Sequence, residues 1–233
     1  MASSAIIDAE KLKKTFIIGP NKIEVIRGVT FSIHPGEYII FFGPSGCGKS
    51  TLLNLCSGLE IPTEGKFLVR GENISGYSSD QKAKFRQTKI GIVFQSFNLL
   101  KSMSVQENVA LPLLAAGLPR ERALKRATNL ITIFGLAKHL KQIPTELSGG
   151  QQQRVAMARA LAANPWILIC DEPTGNLDSN TGKEIMETIK GLNRQGKTIL
   201  LVTHDQKVAD YAGATYHMKD GRIESIEISR VGV

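Results

Sequence analysis

Residues 43–50 hold the first group of side chains with an evident chemical use. The segment reads Gly-Pro-Ser-Gly-Cys-Gly-Lys-Ser, and it lies between an apolar run at Tyr38–Phe42 and a helical pattern at residues 49–58. Glycines allow backbone N–H groups to converge on phosphate oxygens, and the start of a helix adds partial positive charge. The segment therefore predicts a nucleotide phosphate loop, with Lys49 at the β and γ phosphates and the Ser50 hydroxyl at Mg²⁺. A glycine-rich turn without a ligand is the alternative.

A second segment, residues 191–198, has the same spacing of two glycines, a lysine and a threonine. Its surroundings differ, because residues 191–195 end a helical pattern and Thr198 opens an apolar run. Gly196 is typical of a glycine that ends a helix. We therefore predict that residues 191–198 do not bind phosphate, since no helix begins there.

Two adjacent carboxylates, Asp171 and Glu172, end the apolar run at residues 166–170. In open α/β sheets, ligands bind at the carboxyl ends of the strands. Asp171 would orient Mg²⁺ through water, and Glu172 would accept a proton from the water that attacks the γ-phosphate. The alternative is a solvated acidic turn before Pro173.

Residues 147–154 read Leu-Ser-Gly-Gly-Gln-Gln-Gln-Arg at the predicted start of a helix. Two interpretations are open at this point. Ser148 and Gln151 have the spacing of a capping box, in which two side chains accept hydrogen bonds from otherwise unpaired N–H groups at the start of a helix. The same hydroxyl and N–H groups are also suited to bind an anion. Two glycines cost helix stability, and capping alone does not require them.

Together these segments resemble the ATP-binding cassette family. Residues 147–154 resemble its signature motif, residues 43–50 its Walker A loop and residues 167–172 its Walker B strand. The resemblance covers nearly the whole chain. In that family two cassettes pack head to tail, and the signature of one closes over the ATP held by the other. The resemblance therefore implies an ATPase that uses ATP and Mg²⁺ and pairs with a second copy of itself.

Further positions match the family in order. Phe16 resembles the aromatic residue that stacks on adenine, Gln95 the glutamine that reaches Mg²⁺, and His204 the switch histidine. Asp178 lies in residues 176–178, which resemble the D-loop. Without the family, Phe16 would be interpreted as a core or edge residue, Gln95 as a polar strand end and His204 as a surface residue.

The resemblance implies three sets of site residues. The catalytic set is Glu172, His204 and Gln95, and the metal set is Ser50, Gln95 and Asp171. The set that contacts the nucleotide is Phe16, Gly43, Pro44, Ser45, Gly46, Cys47, Gly48, Lys49, Ser50, Thr51, Ser148, Gly149, Gly150, Gln151 and Asp178.

The elements that must position these residues alternate between strands and helices. Apolar runs at residues 38–42, 90–94, 166–170, 198–203 and 214–218 predict buried strands, and helical patterns occupy residues 49–58, 120–134, 151–163 and 180–194. Such alternation predicts an α/β fold with a mainly parallel sheet, and the phosphate loop makes it a P-loop NTPase core. Residues 5–11 and 24–33, joined by a turn near Gly19, predict an antiparallel β subdomain. Residues 96–165 predict a helical insertion subdomain.

We expect a single cassette domain over residues 1–233. Its predicted parts are an antiparallel edge at residues 1–36, an ATPase core at residues 37–95 and 166–233, and a helical subdomain at residues 96–165 that carries the signature motif.

Composition and charge narrow the function classes. The chain is 42% hydrophobic and 21% charged, which is ordinary for a globular protein and excludes disordered and collagen-like classes. Its net charge of +8 is compatible with nucleotides, nucleic acid or an anionic membrane. The sequence has no basic stretch interleaved with aromatic residues, so we expect no nucleic-acid partner.

Other features concern the location of the chain. Residues 1–11 lack the pattern of a signal peptide, and the longest apolar candidate, residues 109–118, is too short and interrupted to span a membrane. The three widely spaced cysteines suggest neither a disulfide framework nor a zinc site. We therefore expect a cytoplasmic protein.

The finer resemblance is to cassettes that serve lipoprotein release, macrolide or peptide export and the related division complex. It rests on residues 93–100, 107–109 and 171–178, and it implies an integral membrane permease as partner on the cytoplasmic face of the membrane. Two alternatives are a soluble cassette ATPase that acts on nucleic acid, the ribosome or the division machinery, and a P-loop kinase. A kinase would leave the signature and His204 without roles.

Overall fold

The computed structural model describes residues 5–229, and the first four positions of the predicted antiparallel edge and the last four of the predicted core lie outside that range. The strands are β1 (Ile7–Ile18), β2 (Asn21–Ile33), β3 (Tyr38–Phe42), β4 (Glu64–Val69), β5 (Glu72–Asn73), β6 (Ile90–Val93), β7 (Ile167–Asp171), β8 (Thr198–Thr203), β9 (Ala214–Lys219) and β10 (Arg222–Ile228). The helices are α1 (Lys49–Cys56), α2 (Ser79–Lys89), α3 (Val105–Ala115), α4 (Arg120–Ile133), α5 (Gly149–Leu161), α6 (Ser179–Arg194) and α7 (Gln206–Ala209).

The chain forms two compact units, and the first consists of residues 5–83 and 190–229. It contains an antiparallel sheet in the order β2-β1-β4-β5, and a second set of strands in the order β10-β9-β3-β8. β3 runs parallel to both β8 and β9. Four of the five residues of β3 are buried, as expected for a parallel strand that is covered on both faces.

The core of the first unit includes an aromatic cluster. Phe31 of β2, Phe41 of β3 and Tyr216 of β9 meet edge to face, with ring centroids 5.3 to 6.3 Å apart. This geometry is favoured between aromatic rings. The cluster fixes the antiparallel hairpin against the parallel strands. The phosphate loop starts at the end of one of them, β3.

The second unit consists of residues 84–189. Its strands β6 and β7 pair in parallel, and helices α3, α4 and α5 pack together beside them. A side chain at Gly91 of β6 would overlap the carbonyl oxygen of Ala160, so glycine is required where α5 crosses the strand. This close packing fixes the helix that carries residues 149–154.

The predicted fold class is confirmed: parallel strands, an N-terminal antiparallel sheet and a helical segment are all present. The hairpin extends further than predicted, to Ile18 and Asn21 on either side of a turn. Its tip pairs residues such as Ile17, which is 74% exposed. The division into three parts stays a prediction.

Between residues 5 and 229, the structure contains no helix with the length and apolar character that a bilayer crossing demands.

Candidate nucleotide-binding site

The phosphate loop connects β3 to α1 in the first unit. The N–H of Gly43 donates to the carbonyl of Thr203, at 3.3 Å, where β3 and β8 end together. A Cβ at Gly43 would overlap the carbonyl oxygen of Met218. Gly46 and Gly48 have φ of +80° and +102°, a region that disfavours residues with a Cβ. The loop therefore requires glycine at these three positions.

The start of α1 provides the positive charge. Its N-cap position is Gly48, so no side chain of that residue competes for the first N–H groups of the helix. Lys49 is only 6% exposed, and its Nζ donates to the carbonyls of Gly43 and Pro44, at 2.7 and 2.9 Å. An ammonium held beside a helix N-terminus is suited to bind the phosphates of a nucleotide.

The structure places His204 beside this loop. It directly follows β8, whose Thr203 pairs with Phe42 at the last position of β3. His204 is exposed. The parallel pairing therefore brings the predicted histidine and the start of the phosphate loop to the same edge of the sheet.

Phe16 lies on β1 and is half-buried. It pairs with Ile23 of β2, two residues before Val25, whose carbonyl oxygen lies 3.0 Å from the position of a Cβ on Gly48. The Nζ of Lys14 lies 4.9 Å from the centre of the Phe16 ring. The hairpin thus approaches the phosphate loop, and the Phe16 ring is partly exposed.

The second unit brings Gln95 to the predicted acidic residues. Val93 of β6 pairs with Cys170 of β7 in parallel. Gln95, two residues after β6, and Asp171, the last residue of β7, therefore lie at the same edge of the sheet. The side-chain amide of Gln95 covers Gly175, where a Cβ would lie 2.7 Å from its nitrogen. Asn176 Nδ2 donates to the Gln95 carbonyl, at 2.9 Å.

Glu172 has a left-handed backbone, with φ of +44°. Such a conformation is uncommon for residues other than glycine and often occurs at functional sites. The Glu172 carbonyl accepts from the N–H of Gly175, at 3.0 Å. The Nε2 of Gln153, a fully buried residue of α5, donates to the carbonyl of Pro173, at 2.6 Å. The main chain from Glu172 to Gly175 is therefore held by hydrogen bonds.

The signature segment opens α5 with a closed capping box. The Ser148 hydroxyl accepts from the N–H of Gln151, at 3.3 Å, and the N–H of Ser148 donates to Gln151 Oε1, at 2.9 Å. A Cβ at Gly150 would overlap the Cγ2 atom of Thr181 on α6. Packing against α6 is thus a reason for glycine at this position that sequence analysis missed.

Asp178 caps the N-terminus of α6. Its Oδ1 accepts from the N–H groups of Asn180 and Thr181, at 3.1 and 3.0 Å. Hydrogen bonds from the Thr181 hydroxyl and from these backbone amides hold the pKa of Asp178 below its usual value. Thr181 therefore contacts both the signature glycine and the predicted D-loop aspartate.

Each unit holds part of the predicted site. The residues in the first unit are Phe16, Gly43, Pro44, Ser45, Gly46, Cys47, Gly48, Lys49, Ser50, Thr51 and His204; those in the second are Gln95, Ser148, Gly149, Gly150, Gln151, Asp171, Glu172 and Asp178. Sequence analysis missed the roles of Gln153 and Thr181. The one local signal was that Gln153 falls on the apolar face of α5.

A cavity of about 350 Å³ lies in the second unit, beside the residues that follow Gln95. Its lining comes from the segment after β6 and from the start of the signature helix, and includes Ser96, Asn98, Leu99, Lys101, Thr145 and Gln152.

Comparisons with known proteins agree with this geometry. The sequence model of the ABC transporter family matches residues 26–175. An uncharacterized ABC transporter ATP-binding protein of Thermotoga maritima is 48% identical over 92% of this chain and 92% of its own length. The macrolide export ATP-binding/permease protein MacB of Syntrophobacter fumaroxidans is 45% identical over 94% of this chain, which spans only 31% of that relative.

A solved structure also matches. It is a dimeric, post-hydrolysis ATP-binding cassette bound to ADP and Pi, with a TM-score of 0.89 and 40% identity; the match covers 97% of this chain and all of that one. The resemblance inferred from the motifs is thereby confirmed. The chain belongs to the ABC transporter family, as one of its ATPase cassettes.

Proposed function

We propose that this cassette binds ATP with Mg²⁺ and that the hydrolysis of this ATP powers a membrane permease. The observation that carries the proposal is the buried Lys49, held by the carbonyls of Gly43 and Pro44 at the glycine start of α1. Its ammonium would exchange these carbonyls for the β and γ phosphate oxygens, because anionic oxygens bind it more strongly. Phe16 would stack on the base.

The other site residues fit hydrolysis. Hydroxyl, amide and carboxylate oxygens are the ligands that Mg²⁺ prefers, and Ser50, Gln95 and Asp171 would supply them. The ion would neutralise charge on the phosphates. Glu172 would accept the proton of the attacking water, and His204 would hydrogen-bond the γ-phosphate.

We propose that two copies of the chain form a head-to-tail dimer that sandwiches two ATP molecules. The dimeric state of the similar solved cassette supports this arrangement. Ser148, Gly149, Gly150 and Gln151 of one copy would bind the phosphates at the other copy, since the start of α5 is suited to anions. Asp178 would lie at the same dimer contact.

We further propose a permease of the export type, for macrolides, lipoproteins, lipids or peptides, with the cassette on the cytoplasmic face of the membrane. The similarity to an ATP-binding/permease protein supports this partner. The cavity beside Ser96 and Lys101 offers an opening of about 350 Å³ for a segment of the permease.

Replacing Glu172 with glutamine tests the mechanism. Glu172→Gln removes the proton acceptor and keeps the side-chain size, so ATP binding should persist while hydrolysis slows by about 100-fold or more. The ATP-bound variant should accumulate as a dimer, measured by size-exclusion chromatography with light scattering. Glu187→Gln, an exposed change on α6, is the matched control. Turnover at the wild-type rate would remove Glu172 from the catalytic role.

The partner is tested by purification of the full chain from membranes with a tag. Copurification of an integral membrane protein supports the permease. Nucleic acid that copurifies and dissociates steeply with salt would instead support the soluble alternative.

In dimers that mix wild-type and Ser148→Ala subunits, the loss of turnover should fall on the ATP held by the wild-type subunit. A loss confined to the altered subunit's own ATP would contradict the head-to-tail arrangement.

A further inference from the structure

The segment that follows Gln95 contains two consecutive residues with left-handed backbone. Phe97 and Asn98 have φ of +60° and +50°, and neither is glycine. Local hydrogen bonds close the turn, from the N–H of Phe97 to the Phe94 carbonyl and from the N–H of Asn98 to the Ser96 carbonyl. Left-handed backbone is unfavourable for residues with a Cβ, so the surrounding structure must stabilise this turn.

Arg159 of α5 supplies that stabilisation. Its guanidinium donates to the carbonyl of Asn98, at 2.6 Å, and to the carbonyl of Phe97, at 2.8 Å. One planar group thus satisfies both residues with left-handed backbone, which a lysine ammonium cannot match in geometry. Burial of the guanidinium at this contact lowers the pKa of Arg159.

The contact joins two parts of the proposed machinery. Arg159 lies on the helix that begins with the signature residues, and the turn that it binds begins two residues after Gln95. The Gln95 carbonyl accepts from Asn176, and the Gln95 side chain packs over Gly175; both of these residues follow Glu172 in the chain. Asn98 also lines the cavity of the second unit. A change in the turn would therefore move both Gln95 and that cavity.

We infer that Arg159 is a positioning residue that fixes the turn at Phe97 and Asn98 and thereby sets the placement of Gln95 for hydrolysis. The inference rests on the proposed role of Gln95. Within residues 5–229, the hydrogen bonds of the Arg159 guanidinium go to main-chain carbonyls, so it would act on the reaction through the backbone of residues 95–98.

The test uses the full chain with Arg159→Lys, which retains the charge but not the planar pair of donors. We expect kcat to fall by about tenfold while KM for ATP changes by less than about twofold, because the phosphate loop is untouched. Hydrogen exchange at the amides of residues 96–100 should accelerate, while exchange in the rest of α5 should stay unchanged. Arg120→Lys is the matched control, since Arg120 forms an exposed ion pair with Glu107.

A second variant distinguishes positioning from a general loss of stability. Asn98→Gly removes the Cβ from a left-handed position at no steric cost, so the double variant Arg159→Lys/Asn98→Gly should recover at least about threefold in kcat over Arg159→Lys. The thermal midpoint is measured for each variant. The inference is overturned if exchange rises throughout α3, α4 and α5, or if glycine gives no recovery.

Gln95→Ala separates this inference from the proposed function. If Gln95→Ala leaves kcat unchanged, the proposed role of Gln95 fails, and with it the effect of Arg159 on the reaction. If Gln95→Ala lowers kcat but Arg159→Lys changes neither kcat nor exchange at residues 96–100, the positioning role alone is refuted.

Discussion

Two helices of this cassette begin at glycine-rich segments, and they begin in different ways. At α1 the N-cap residue is Gly48 in a left-handed conformation, and the positive charge comes from the buried Lys49. At α5 the N-cap residue is Ser148, and its side chain and that of Gln151 close a capping box. The first helix start has no capping side chain of its own, whereas the second is satisfied within the chain.

The difference indicates that the two helix starts bind phosphate under different conditions. The first N–H groups of a helix without a capping side chain can bind phosphate without first breaking a capping hydrogen bond. At α5, an arriving phosphate must compete with the bond between the Ser148 hydroxyl and the N–H of Gln151, which is long at 3.3 Å. We therefore expect the phosphate loop to bind nucleotide in the isolated chain and the signature segment to contribute only when a second copy brings ATP to it.

The largest effect should come from removing the charge at α1. Lys49→Ala should weaken ATP binding by about 100-fold or more, because it removes a charge-assisted contact with the phosphates. Isothermal titration with ATP measures the affinity. The chain supplies its own control in Lys197→Ala, which alters the lysine of the second segment with the same spacing.

The control also tests the importance of the helix start. Gly196 has φ of +87° and follows the end of α6, and Thr198 begins β8. As predicted, no helix begins at this segment. Equal losses of ATP affinity in Lys49→Ala and Lys197→Ala would contradict the claim that phosphate binding requires a lysine at the start of a helix.

The next effect concerns packing at the start of α5. Gly150→Ala places a methyl group into the Cγ2 atom of Thr181, and overpacking of this kind costs about 2 kcal/mol. Thr181→Ser removes that methyl and keeps the hydroxyl that Asp178 uses, so the double variant should regain most of the loss. Urea unfolding measures the free energies. Gly149→Ala is a milder comparison, because the nearest atom that its Cβ would meet is at the end of the Leu177 side chain, at 3.3 Å.

Removal of the cap at α5 should have a smaller effect. Ser148→Ala deletes the acceptor of the Gln151 N–H, which costs about 1 kcal/mol of stability, whereas Ser148→Thr keeps the hydroxyl and most of that stability. Urea unfolding of the two variants without nucleotide measures the difference. If Ser148→Ala and Ser148→Thr unfold at the same urea concentration, the capping box contributes nothing in the isolated chain.

Much of the architecture could be predicted because its signals are local. β3 and β8 were predicted with their observed bounds, since strands buried on both faces appear as continuous apolar runs. β4, β10 and α2 were not predicted. β10 is exposed at six of its seven positions, β4 is exposed at three of its six, and α2 buries only Phe85 of its 11 residues. Pairing and packing with distant segments therefore determine these elements.

The same distinction applies to the site. Lys49 and Ser148 could be identified because a short motif at a helix start is itself the chemical signal. The role of Gln153 depends on a carbonyl 20 residues away, at Pro173, and that of Arg159 on carbonyls about 60 residues away. Their types carry no such information in the sequence, because arginine and glutamine are common on helices.

The smallest predicted effect concerns Asp178 at the start of α6. Its folded-state pKa lies below the ordinary value of 3.8, so the ionised carboxylate stabilises the fold above that value, and the contribution is lost as the pH falls through the lowered pKa. Asp178→Asn keeps an acceptor for the N–H groups of Asn180 and Thr181 but removes the charge that favours a helix start.

The stability difference between wild type and Asp178→Asn should therefore be present at neutral pH and shrink towards zero in acid. Urea unfolding midpoints across the acid range measure it. Because the carboxylate is exposed, solvent screens the charge, and the difference should decrease further in high salt. A difference that stays constant across pH would assign the role to side-chain shape instead. Asp178 would then stabilise α6 as Ser148 stabilises α5, by a neutral hydrogen bond.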